Sequence, residues 1–211
     1  ADIDYSATLA IGANAVLTAE NGLTVEAKSL QELDSKASTD AGGLGAGVDT
    51  NAISAVGGSS DRAITSVDID GVLSGGDVTI SAVVKDAKLS SDARSWSGGL
   101  FANSDSKGEL KIYDRVAVDL GGTAAITGDK VTIKAAHEDL SVKANANSYG
   151  AGLYADVDGT SDLTYDSENV VSAAKDAIVT AGTLAVTSDQ TFAQFKSNVD
   201  TKSDSLGTPV E

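Results

Sequence analysis

The sequence predicts an all-β fold, a parallel β-helix (β-solenoid) of about four 53-residue units with two rungs in each unit. The main observation is a short run of alternating apolar and polar residues that occurs four times, starting at Leu23, Val78, Val131 and Leu184. These starts lie 55, 53 and 53 positions apart, and a glycine closely precedes each of them. Such alternation with β-branched residues is typical of a strand with one buried face, and a fixed period is typical of stacked repeats.

The predicted units form a single array and comprise residues 1–61, 62–114, 115–167 and 168–211. The first unit contains the strand candidates 7–11 and 23–27, followed by extra residues around 30–39. Solenoids tolerate insertions at such positions because each repeat contacts only its neighbours. The fourth unit ends before its pattern is complete, so we expect the chain to be a piece of a longer polypeptide.

Unit three copies unit two most faithfully. The segment Gly152-Leu153-Tyr154-Ala155 lies 53 positions after Gly99-Leu100-Phe101-Ala102. Each unit contains about six short strand candidates, which is more than the three strands of one triangular rung, so we predict two rungs per unit. About eight rungs at an interstrand spacing of about 4.8 Å give a rod roughly 35–40 Å long.

The composition supports a narrow, surface-rich protein. Apolar residues make up 41% of the chain but aromatic residues only 4%, which suits a solenoid interior better than a compact globular core. The net charge of −16 argues against nucleic acid and anionic membranes as partners, because both require a basic face. There is no cysteine, which excludes disulfides and thiolate sites, and no long apolar run that would predict membrane insertion.

The order of these motifs resembles a known kind of repeat. The segments Gly75-Gly76-Asp77-Val78-Thr79-Ile80-Ser81-Ala82 and Ser97-Gly98-Gly99-Leu100, with their copies, carry the resemblance. They are similar to the β-helical repeat regions of bacterial filamentous-haemagglutinin-like and leukotoxin-like giant surface proteins. The resemblance covers essentially the whole chain. It implies a right-handed parallel β-helix that projects from a bacterial cell as a shaft, and hence an extracellular or cell-surface location.

Three aspartates recur in register, each five positions after a leucine that follows glycine: Asp49, Asp105 and Asp158, with Asp156 beside the last. One interpretation is calcium binding, since calcium takes carboxylate oxygens at about 2.3–2.6 Å. With two rungs per unit, however, the three carboxylates would lie about 10 Å apart, which is too far for one shared ion. We therefore favour solvated turn residues. Calcium is the alternative, and no other cofactor or metal is expected.

Four aromatic residues also correspond between units, Trp96 with Tyr149 and Phe101 with Tyr154. On an exposed face they could stack on sugar rings and make the chain a glycan-binding adhesin module. The other interpretation is that the rings fill a wide interior corner, and we favour it because the core is otherwise short of large side chains.

The only histidine, His137, is predicted to lie exposed at a polar corner between two strands. The matching positions hold Val84 and Gln190, so the repeat itself does not require a histidine. No nucleophile and orienting group accompany it in the sequence. The carboxylates are spread evenly over the units, whereas a glycosidase gathers its acid and base in one groove. We predict that the chain is not an enzyme and has no catalytic residues.

Two functions remain after these exclusions. The first is structural, a shaft module of an extracellular fibre or surface adhesin that provides length and stiffness. The second is a glycan- or calcium-binding module of the same architecture. Because terminal rungs carry unpaired backbone groups, we expect the chain to associate end to end with copies of itself or with flanking repeats.

Overall fold

The computed structural model describes residues 1–206, and this part of the chain contains strands and no helix. Eight strands form one curled sheet. The strands are β1 (Asp2–Ile3), β2 (Ser6–Ile11), β3 (Val16–Thr18), β4 (Gly22–Val56), β5 (Ala63–Ile69), β6 (Val72–Leu120), β7 (Ala125–Ala173) and β8 (Ile178–Ser205). The prediction of an all-β fold is confirmed. The end of the predicted fourth unit, residues 207–211, lies outside the described residues.

Every pairing between these strands is parallel and joins residues about one repeat apart. Strands β6 and β7 pair at an offset of 53, as in Val78 with Val131. The offsets of the other strands range from 51, for Ala63 with Asp114, to 58, for Ser6 with Ile64. Two rungs per unit would place partners about half a repeat apart, so that prediction is wrong. The short strand candidates join into bent strands of up to 49 residues, and one pass of the chain therefore uses a full repeat.

We call one pass of the chain a rung. The first rung comprises residues 16–69, the second 72–120, the third 125–173 and the described part of the fourth 178–205. The tight turns 12–15, 121–124 and 174–177 connect successive passes, and in each the N–H of the last residue donates to the carbonyl of the first. At about 4.8 Å per rung the described chain spans roughly 20 Å along the stacking direction. This is about half the predicted length, because each repeat contributes one rung instead of two.

Each rung folds back on itself halfway along, around Gly99 in the second rung and Gly152 in the third. We call this reversal the far turn, and the two halves of the rung the outgoing wall and the return wall. The walls face each other closely near the far turn, where Ser104 Oγ of the return wall donates to Ser95 Oγ of the outgoing wall at 2.8 Å.

The space between the walls has two parts. Away from the far turn it is filled by fully buried aliphatic side chains, among them Leu73, Ile80, Leu110, Ile112, Ile126 and Leu140. Close to the far turn the inward side chains are small, and Ser91, Ala93, Ser95, Ser97 and Ser104 are all buried there. The walls are therefore too close together at the far turn to accommodate a large side chain.

Candidate binding surface at the far turn

Two pairs of stacked aromatic rings lie beside the far turn. Trp96 and Tyr149 occupy the same ladder position in the second and third rungs, with ring centroids 6.4 Å apart and planes inclined by 13°. Phe101 and Tyr154 do the same on the return wall, with centroids 5.5 Å apart and planes inclined by 6°. Each pair forms a flat aromatic row that runs along the stacking direction.

Both rows face solvent. The exposed fraction is 41% for Trp96, 61% for Phe101 and 59% for Tyr154. The interpretation that these rings fill an interior corner is therefore wrong. The physical reason is the strand alternation: Ser95 and Ser97 point inward, so Trp96 between them must point outward.

Exposed leucines also lie at the far turn, beside the aromatic positions in the sequence. Leu44, Leu100 and Leu153 are exposed by 78%, 43% and 43%. Together with the four rings, these exposed leucines at the far turn are called the far-edge surface. Exposed apolar patches of this kind mark interaction sites more often than isolated exposed leucines do.

A groove borders each aromatic row. The groove beside Phe101 and Tyr154 has a volume of about 530 Å³, and Asn103 and Asp156 provide its polar groups. The groove beside Trp96 and Tyr149 has a volume of about 370 Å³. Its polar and charged side chains come from four rungs and are Ser38, Asp40, Arg94, Asn147, Asp200 and Lys202. Both grooves thus combine an aromatic face with hydrogen-bonding groups.

The sequence did not single out the polar groups of these grooves. Arg94 and Asn147 share a ladder position and lie two residues before Trp96 and Tyr149, on the same face of the strand. The alternation therefore already placed them beside the rings. That signal was missed because the rings themselves were expected to point inward.

The predicted aspartates form a row on the outer face of the return wall. Asp49, Asp105 and Asp158 pair in register in consecutive rungs. They are therefore about 4.8 Å apart from rung to rung, instead of the expected 10 Å. Asp156 lies in a different row, in register with Asn103. The structure thus brings three of the four candidate calcium ligands together.

The electrostatics of this row are repulsive. Partial burial raises the pKa of Asp105 above its usual range, and the neighbouring Asp49, Asp158 and Asp156 carboxylates raise it further. A cation or a proton would relieve this repulsion. Within residues 1–206, however, no three His, Cys, Asp or Glu side chains are arranged as a metal site.

His137 is buried, so the prediction of an exposed corner residue is wrong. Its exposed fraction is 1%, and its ring contacts Asp114 and Asn169 in the interior. The sequence did contain a signal for this burial. Val84 shares the ladder position of His137, and an aliphatic residue at the same position of a repeat indicates an inward-facing side chain.

Comparison with known proteins yields no relative: no family model, curated protein or solved structure matches the chain. Residues 1–206 also contain no helix that is long and apolar enough to cross a membrane.

Proposed function

We propose that this chain is a shaft module of an extracellular, repeat-built bacterial fibre or surface adhesin. In this proposal the rungs are those of a right-handed β-solenoid of about four repeats, and their role is to provide length and stiffness. The observation that carries the proposal is the continuous parallel ladder, which joins each described rung to the next with nearly constant register. Such a ladder extends along one axis by simple addition of rungs.

The fourth rung supports growth along this axis. Its inward residues Leu184 and Val186 are each 52% exposed, whereas Val131 and Ile133 at the same positions of the third rung are buried. One further rung would bury this apolar surface and would pair the open backbone edge of β8. A further repeat, supplied by a flanking part of a longer polypeptide or by a second copy of the chain stacked end to end, is the occupant that we propose for this edge.

Negative-stain electron microscopy of the protein isolated from its natural source tests the proposal. We expect long, uniform fibres that are unaffected by a calcium chelator. Short particles that never associate would contradict the shaft proposal. Fibres that fall apart on chelation would instead assign a calcium-binding role to Asp49, Asp105 and Asp158.

The far-edge surface favours a second candidate function, glycan binding by the same module. Stacked, exposed aromatic rows with adjacent amide, carboxylate and guanidinium groups suit the apolar face and hydroxyl groups of a pyranose ring. The groove beside Trp96 holds two carboxylates, one arginine and one lysine, while the whole chain has a net charge of −16. A neutral glycan therefore fits this surface better than an anionic one.

Single substitutions on the far-edge surface test this second function. On a glycan array and by calorimetry with a neutral oligosaccharide, we expect Trp96→Ala or Tyr154→Ala to weaken binding by about 2 kcal/mol, the size typical of an aromatic anchor. Leu30→Ala is the control, because Leu30 is 68% exposed but lies outside this surface. Equal binding by all three variants and the unmodified chain would exclude the far-edge surface as a glycan site.

A further inference from the structure

A polar cluster is buried in the interior of the third rung, apart from the far-edge surface. His137 lies on the outgoing wall and Asn169 on the return wall of that rung, while Asp114 comes from the return wall of the second rung. Both His137 and Asp114 are almost completely buried, with exposed fractions of 1% and 2%. The cluster therefore connects two walls and two rungs at one point.

The hydrogen bonds of Asn169 determine the protonation of one histidine nitrogen. Its side-chain Nδ2 donates to the carbonyl oxygen of Asp189 at 2.8 Å. The amide oxygen Oδ1 is then the atom that lies 2.6 Å from His137 Nδ1. Because this oxygen can only accept, Nδ1 must carry a proton and donate it.

The other ring nitrogen requires a second proton. His137 Nε2 lies 2.7 Å from Asp114 Oδ2. With a neutral imidazole already protonated at Nδ1 and an ionised carboxylate, two acceptors would face each other across this short distance. A proton between Nε2 and Oδ2 is needed, and it forms a charge-assisted hydrogen bond between imidazolium and carboxylate.

We propose that His137, Asp114 and Asn169 form a proton-dependent clamp, which fastens the two walls of the third rung and is released when the pH rises. Loss of the proton between His137 and Asp114 leaves a buried carboxylate against a ring nitrogen lone pair. The contact between His137 and Asp114 then becomes repulsive, and the packing of the two walls around this cluster is loosened. This device is independent of the proposed shaft and glycan-binding functions.

Neighbouring rungs show that the fold does not require this cluster. The ladder positions of His137, Asn169 and Asp114 hold Val84, Val116 and Ala63 in the preceding rung. All three of these apolar residues are buried there. The same corner can thus be built from aliphatic side chains, which have no pH dependence.

The surrounding titratable groups do not account for a pH response near neutrality. Burial, with a smaller contribution from Asp114, raises the pKa of Tyr5 to about 12. Burial also raises the pKa of Tyr165. Arg62 donates to the Asp114 backbone carbonyl at 3.2 Å and remains charged. Glu138 pairs with Lys134. Among these groups, the His137–Asp114 pair is the one whose short contact depends on a shared proton.

The sign of the pH dependence follows from proton counting. An unfolded histidine loses its proton at about pH 6.5, whereas the hydrogen-bond geometry of the folded pair requires a proton between Nε2 and Oδ2. Above that pH the folded state then binds one more proton than the unfolded state, so the clamp stabilises fully from about pH 4, below which an unfolded aspartate gains a proton, up to about pH 6.5. Above that pH the folding equilibrium constant should fall about tenfold per pH unit, until the folded pair also loses its proton.

Nitrogen-15 NMR of the tag-free chain tests the protonation directly, since the sequence contains a single histidine. At pH 7.5 we expect both ring nitrogens of His137 to be protonated in the folded chain. A neutral ring with one protonated nitrogen at this pH would overturn the proposal.

A triple variant that copies the residues of the preceding rung provides the matched comparison: Asp114→Ala, His137→Val and Asn169→Val. We expect the folding equilibrium constant of the unmodified chain, measured by urea denaturation, to decline between pH 6.5 and 8.5, and we expect this variant to lose that decline. The same decline in both chains would also overturn the proposal. The NMR experiment uses the unmodified chain, so its outcome does not depend on the folding of the variant.

Discussion

Replacement of Gly99 by alanine is expected to destabilise the fold by about 3 kcal/mol or more, the upper range for overpacking in a rigid site. A Cβ at this position would lie 2.0 Å from the backbone carbonyl oxygen of Gly43 in the rung before. Gly152 repeats the arrangement one rung later, where a Cβ would lie 2.3 Å from the Gly99 carbonyl oxygen. The glycines of the far turn therefore stack so closely that neither backbone can move without breaking the ladder.

Gly47→Ala is the matched control for Gly99→Ala. A Cβ at Gly47 would have nothing within 4 Å, although this residue lies on the return wall of the first rung, shortly after its far turn. Urea denaturation followed by circular dichroism should separate the two variants clearly. Equal stability of Gly99→Ala and Gly47→Ala would contradict the close stacking of the far turns.

Leu110→Ala is expected to destabilise the chain by about 2–5 kcal/mol. Leu110 is completely buried between the walls of the second rung, and it pairs in register with Leu163 of the third. Truncation would leave a cavity that cannot collapse, because the walls are fixed by ladders to the rungs on both sides.

The control for this cavity is Leu30→Ala. Leu30 has the same side chain but is 68% exposed, so its truncation should change the stability by less than about 0.5 kcal/mol. Thermal and urea denaturation of both variants measure the difference. A small effect at Leu110 would mean that the second rung does not have the packed interior described above.

The repeat period and the strand character were readable in the sequence because they depend on local alternation. Val78 and Val131 start matching segments 53 positions apart, and the structure pairs these residues as ladder neighbours. The number of rungs per repeat was not readable in the same way. Corners such as Asp86 and Asp139, with φ angles of 53° and 56°, look like strand ends in sequence, although the same long strand continues past them.

The candidate site was predicted by residue but not by orientation. The sequence identified Trp96 and Tyr149 as a corresponding pair, and the size of the rings suggested burial. In the structure the rings point outward and the neighbouring serines point inward, because the short distance between the walls allows only small inward side chains. The distance between the walls depends on where the return wall lies, and the local sequence of the outgoing wall does not contain this information.

The aspartate row and His137 were misjudged for related reasons. The predicted separation of Asp49, Asp105 and Asp158 was based on two rungs per unit. Because the number of rungs was wrong, the predicted separation was wrong as well. The burial of His137 depends on partners 23 and 32 positions away, Asp114 and Asn169. Only the fold brings these residues together.

Disulfide trapping tests whether each repeat contributes one rung, with ladder partners 53 positions apart. The chain has no cysteine, so any disulfide must come from the introduced pair. In one variant Asp92 and Asn145, which are ladder partners 53 positions apart with a side-chain hydrogen bond, are both replaced by cysteine. In the other variant, Asp92 and Asp119 are replaced by cysteine. These residues lie 27 positions apart, the separation expected of ladder partners if each repeat contained two rungs.

Non-reducing electrophoresis and mass spectrometry after mild oxidation read out the result. With one rung per repeat, we expect rapid disulfide formation within one chain for the Asp92/Asn145 pair, since adjacent parallel strands bring Cα atoms within bonding range for a disulfide. We expect no disulfide between the cysteines at positions 92 and 119. Formation of the Asp92/Asp119 disulfide, with no reaction of Asp92/Asn145, would contradict the fold and the shaft function built on it.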